Sequence, residues 1–100
     1  MSDSYQIEIP QSFIALFLTP GSQKPNAARE QIAARYDLCE DLATLLVEVA
    51  STQLASSRDS TAQVLQQCQA GLLGEAAMVS QAEAEWVIRR LAELLNWEPV

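Results

Sequence analysis

Apolar and polar positions along the chain change their period several times, and each change marks an element. Tyr5-Gln-Ile-Glu-Ile9 alternates strictly, which is the period of an extended segment with one buried face. A lone strand has no stability of its own, so this segment is expected to lie on helices or to pair with a second chain. Pro10 follows it, and proline is tolerated where a helix opens. Gln11–Leu18 is then predicted as a short helix halted by Pro20-Gly21. Phe13, Ile14, Leu16, Phe17 and Leu18 leave that helix almost no polar face, so it should be buried.

Residues 21–26 have loop composition, with Pro25 and Asn26 placed to open the next helix. From Ala27 to about Ala55 there is no breaker, which predicts the longest element of the chain. At a helical period Glu30, Asp37, Asp41 and Glu48 share one narrow line. Away from that line fall Leu38, Leu42, Leu45 and Val49, and also Ile32, Tyr36, Cys39, Leu46 and Ala50. The apolar arc is therefore about 200° wide. One neighbouring helix does not cover such an arc. Either this is the central helix, or part of the arc faces a partner.

The remaining elements are marked by their ends. Ser56–Asp59 is polar, and Ser60 with Gln63 forms a capping box. The helix after it runs to about Leu72, burying Val64, Leu65, Cys68 and Leu72, with Gly71 and Gly74 as its stop. Ser80 with Glu83 is a second capping box, opening a last helix over Gln81–Leu95. Its inner face is Ala84, Val87, Ile88, Leu91, Leu94 and Leu95, and Asn96 is suited to a left-handed cap. The expected fold is all-α: a small bundle of one short and three longer helices in a single domain over 1–100. An extended segment occupies 1–9 and the helices 10–97. No internal repeat interrupts this plan.

Composition narrows the function classes. The chain has 100 residues, 49% of them hydrophobic, with only 3 Gly and 4 Pro. That is ample for one helical core and poor in turn chemistry for an all-β fold. There is no His, which removes imidazole acid–base catalysis, nucleophile activation and metal ligation together. The net charge of −7 repels phosphate backbones, so a nucleic-acid partner is not expected. No apolar run approaches the roughly 18–20 residues that span a bilayer. No Lys or Arg precedes Lys24 to make the positive region of a secretory signal. Cys39 and Cys68, both inside predicted helices, make neither a disulfide framework nor a zinc site. They read as reduced, buried thiols in a cytoplasmic protein.

Enzyme motifs are missing in the same way. The glycines at 21, 71 and 74 lead into no Gly-Lys-Ser/Thr triplet, and no Gly-x-Ser-x-Gly elbow occurs. No catalytic residue, cofactor or metal-ligand set is expected. The acidic line, with Glu40 beside it, reads as a solvated face, since carboxylates along one straight helix do not converge on a point. The alternative is a divalent-cation site or small metal-dependent enzyme using Asp37, Glu40 and Asp41.

Basic and aromatic residues supply the candidates for binding. Arg35 falls within the wide apolar arc, where a charge must pair or reach outward along its stem. Trp86, Arg90 and Trp97 line one edge of the last helix, and Trp and Arg are the types enriched at interface hot spots. These four are the candidate partner-binding residues. Glu85, Arg89 and Glu93 form a ladder on the outer side that supports the helix alone.

Two stretches carry a resemblance: Ile32-Ala-Ala-Arg-Tyr-Asp-Leu-Cys-Glu-Asp-Leu-Ala43 and Ser80-Gln-Ala-Glu-Ala-Glu-Trp-Val-Ile-Arg-Arg-Leu-Ala-Glu-Leu-Leu-Asn-Trp97. They resemble a family of short proteobacterial proteins, some labelled "ATPase with chaperone activity", and the likeness extends to Ile9-Pro10 and Phe13–Leu16. A chain of 100 residues without a P-loop is too small for such an ATPase, so the resemblance implies an accessory or adaptor to one. It assigns no functional residues. The sequence thus leads to a non-enzymatic interaction or regulatory protein that works through helix faces on another protein. The surplus of apolar surface further leads to a two-fold homodimer.

Overall fold

In the computed structural model, which describes residues 9–18, 26–74 and 78–97, Pro10 opens the first helix. Its carbonyl accepts from the N–H groups of Phe13 and Ile14 at 3.0 and 3.1 Å. This helix, α1 (Gln11–Ile14), tightens at once into a 3-10 turn over Ala15–Phe17, and Leu18 is already extended. It is shorter than the sequence predicted, because the Leu18 N–H closes back on Ala15 at 3.2 Å and so ends the α-type ladder. Nor is it buried all round. Phe13 is fully enclosed, while Ile14, Leu16 and Phe17 are half-buried and Leu18 is exposed. The extended segment expected at 5–9 lies outside the described residues except for Ile9, and so do the loop positions 21–25.

The chain divides into two compact units, Met1–Leu38 and Cys39–Val100. In the first, the Phe13 ring meets Phe17 and Tyr36 with centroids 5.5 and 5.6 Å apart, the second of them edge-on. Such tilted pairs put the positive edge of one ring toward the negative face of another. Ile32 is the other buried apolar side chain of this unit among the described residues.

Helix α2 (Arg29–Ser56) begins in the first unit and ends in the second. Ala28, rather than Pro25 or Asn26, precedes its first turn. The Ala28 N–H donates to Gln31 Oε1 at 3.2 Å, and its carbonyl accepts from the Ile32 N–H. This is half of a capping box, with no hydroxyl to supply the other half.

The second unit is a small bundle of α2 from Cys39 onward, α3 (Thr61–Leu72) and α4 (Gln81–Leu95). Ala50, Val64, Leu65, Cys68, Ile88, Leu91 and Ala92 form one buried cluster, with Leu46, Val47, Leu54, Leu72, Leu95 and Trp97 packed against it. All three helices contribute to that cluster. The fold class is all-α, with one short and three longer helices, as periodicity predicted. Among the described residues no helix is long and apolar enough to cross a membrane.

Both capping boxes are formed. Gln63 donates its N–H to Ser60 Oγ at 3.2 Å and returns its side-chain oxygen to the Ser60 N–H at 2.8 Å. The Ser80–Glu83 pair repeats this at 3.1 and 2.8 Å, which gives the buried Glu83 carboxylate a donor. Ser80→Ala is expected to cost about 1 kcal/mol, read as a lower urea midpoint at unchanged slope.

The helix ends differ. Neither Gly71 nor Gly74 takes a left-handed conformation. Instead Leu73 (φ −100°, ψ 14°) turns its N–H onto the carbonyls of Gln69 and Ala70, both at 3.2 Å, which satisfies them without a glycine cap. Asn96 does take the left-handed cap, at φ 61° and ψ 33°. The Asn96 N–H bonds to Glu93 and the Trp97 N–H to Ala92, at 3.2 and 2.9 Å. That is a Schellman motif, in which the residue after the cap packs back on the helix. Trp97 is that residue.

Candidate functional site

Within the second unit α2 has two apolar faces. The inner one carries Cys39, Ala43 and Ala50, each 0% exposed. The outer one carries Leu42, which is half-buried, and then Leu45 and Val49, which remain 68% and 53% exposed. Among the described residues the wide apolar arc is therefore covered on one flank only. Leu42, Leu45 and Val49 are spaced three and four apart, the spacing of a helix-pairing seam. Asp41 and Glu48 are exposed and lie one turn before and one turn after Leu45. Below Val49 the face continues as a shallow depression lined by Glu48, Val49, Thr52, Gln53 and Ser56. The hydroxyls of Thr44 and Ser56 donate one turn back along α2, to the carbonyls of Glu40 and Thr52 at 2.9 and 2.8 Å.

The residues singled out on α4 lie deeper than an edge. Trp86 is buried at 8% exposure, and Trp97 packs on the core cluster. Arg90 reaches α2, where its Nε donates to Glu40 Oε1 at 2.7 Å and its second terminal nitrogen to Glu40 Oε2 at 3.4 Å. It also bonds Glu93 at 3.1 Å. The hydrogen bond that Arg90 donates to Glu40 is the largest effect and outweighs desolvation, which lowers the Arg90 pKa; with the smaller contribution of Glu93 the pKa is raised, so the guanidinium stays charged. The pair is partly open, with side chains 34% and 26% exposed, and water weakens it. Glu40→Gln is accordingly expected to cost about 1 kcal/mol at low salt and less at high salt, measured by urea unfolding at two ionic strengths. Arg35, the fourth residue singled out, is half-buried in the first unit.

Glu40 bears on the cation reading as well. Both its oxygens face the Arg90 guanidinium, so a metal ion there would have to displace an ion pair. Asp37 and Asp41 are exposed on α2. Among the described residues no group of three or more His, Cys, Asp or Glu side chains is placed to hold a metal. Glu30, Asp37, Asp41 and Glu48 all face solvent, as a solvated acidic line should.

The two thiols are enclosed. Burial pushes the Cys68 thiol up from its ordinary value, which leaves it protonated and a poor nucleophile near neutral pH. A groove between α3 and α4 is lined by Leu65, Gln66, Gln69, Glu85, Ile88, Arg89 and Ala92. Its polar lining is Gln66, Gln69, Glu85 and Arg89, which places no nucleophile beside a base.

Sequence reasoning missed two features of this region. The Glu40–Arg90 bond joins residues 50 apart, and no local pattern announces such a pair. The outer stripe was visible as apolar positions, but a period gives an angle around the helix and not which neighbour covers it. Comparison with family models, with curated proteins and with solved structures finds no match to this chain.

Proposed function

We propose that the protein is a non-enzymatic, adaptor-like interaction module of the cytoplasm that presents the outer face of α2 to another protein. The observation that carries this reading is the exposure of Leu45 and Val49 side by side on one seam, at 68% and 53%. Full burial of such side chains is worth about 1.5–3 kcal/mol each, and a docked helix would recover the exposed part of it. The enclosed thiols support a reducing compartment. The resemblance to proteins labelled as chaperone ATPases supports an accessory role.

The test is co-purification with the wild-type chain and with Leu45→Gln/Val49→Gln in parallel. A partner retained by the wild type and lost by the variant supports the reading, and identical sets from both contradict it. Self-association as a two-fold homodimer is a companion proposal that rests on apolar surface away from this face, where Leu73, Met78 and Leu94 are exposed. Light scattering decides it: about twice 11.0 kDa supports a dimer, and 11.0 kDa rules it out.

A further inference from the structure

We infer that the outer face of α2 receives a basic amphipathic helix, whose apolar stripe seats on Leu42, Leu45 and Val49 and whose Lys or Arg side chains meet Asp41 and Glu48. This rests on reading the face as a docking surface and adds the chemistry of the partner. In heptad terms Leu42 and Val49 are a positions and Leu45 the d between them. Asp41 and Glu48 each stand immediately before an a position, which makes them the g positions. Charges there set partner choice, because they face the flanks of the opposing helix.

Both g positions are acidic and exposed. From Tyr36 to Ser56 the helix carries no Lys or Arg to balance them. The e flank offers no compensation, since Leu46 packs on the core and Gln53 is neutral. A helix laid on this seam therefore meets apolar side chains bordered by negative charge alone.

A second copy of the chain is the wrong occupant for that border. Parallel two-fold pairing of α2 with itself across this seam sets g against e, where Leu46 and Gln53 offer no positive charge. Antiparallel two-fold pairing makes g face g. Asp41 and Glu48 would then meet Glu48 and Asp41 of the copy. Like charges facing one another across an interface are a device for rejecting a partner. The net charge of −7 on each chain acts in the same direction. A partner bearing Lys or Arg at these places reverses the sign of every one of these interactions.

The test uses two labelled synthetic helices of about three heptads, both with Leu at a and d. One carries Lys at e and g, the other Glu, and fluorescence anisotropy reads their binding. The wild type is compared with Leu45→Gln/Val49→Gln and with Asp41→Lys/Glu48→Lys, each first checked for native helix content by circular dichroism. The Lys helix is expected to bind the wild type at least about tenfold more tightly than the Glu helix. Reversing Asp41 and Glu48 should invert that preference, and the Gln variant should lose the Lys helix. Equal binding of both helices, abolished by the Gln substitutions, keeps the docking surface and overturns the basic partner. Binding of the Lys helix that the Gln substitutions leave unchanged, or no binding of either helix, overturns both. Wild-type dimers that the Gln substitutions dissociate put a second copy on the face and overturn the inference.

Discussion

Trp86→Ala is expected to remove about 3–5 kcal/mol of folding stability, a large share of the roughly 5–15 kcal/mol that a domain of this size possesses. Trp86 is 8% exposed on α4, where Ala84 and Val87 are fully buried. Truncation would lose the transfer free energy of the indole and leave a void that the surroundings fill only in part. Urea unfolding followed by far-ultraviolet circular dichroism measures the loss without relying on the removed fluorophore. The result also fixes what kind of residue Trp86 is. A side chain reserved for a partner would lose binding and keep its stability, so a cost below about 1 kcal/mol would contradict its place in the core.

Leu91→Ala should cost about 2–5 kcal/mol, in the upper part of that range. Leu91 is 0% exposed and belongs to the cluster that joins Ala50 of α2 with Val64, Leu65 and Cys68 of α3. Neighbours drawn from three helices cannot all move in to fill the space, so most of the cavity remains. Leu94→Ala is its control. Leu94 is 41% exposed, and its truncation should cost less than about 1 kcal/mol. Equal losses in the two variants, again by urea unfolding, would show that α4 presents a different face to α2 and α3.

The contrast between Leu91 and Leu94 also marks how far the sequence is legible. The pattern of α4 puts both on one inner face, because periodicity measures direction around the axis and not distance to a neighbour. Signals confined to one turn were readable. The Ser60–Gln63 and Ser80–Glu83 boxes and the Asn96 cap each depend on residues within one turn of a helix end, and each is formed. The start of α2 was less so, since Ala28 has no side-chain oxygen and only Gln31 caps it. Gly71 and Gly74 suggested a left-handed stop that Leu73 makes unnecessary by closing a tighter turn.

The candidate site divides along the same line. Trp86, Arg90 and Trp97 were picked out by residue type and spacing, and the structure places them in the core, in an ion pair and in a Schellman motif respectively. Each has a folding task that its type alone did not announce. Leu45 and Val49 were visible as part of an apolar arc, yet only the positions of α3 and α4 show which flank of that arc stays in water.

A docking role for the outer face of α2 requires that this face stay open and contribute little to the fold of the chain itself. Its most direct test is the urea unfolding of Leu45→Gln/Val49→Gln against the wild type. Gln is a good helix former and Val a weak one, so helix propensity changes little. The expected stability lies within about 1 kcal/mol of the wild type, at an unchanged slope. A loss above about 3 kcal/mol, the size expected for emptying core positions, would mean that the chain covers this face itself and that no partner docks there.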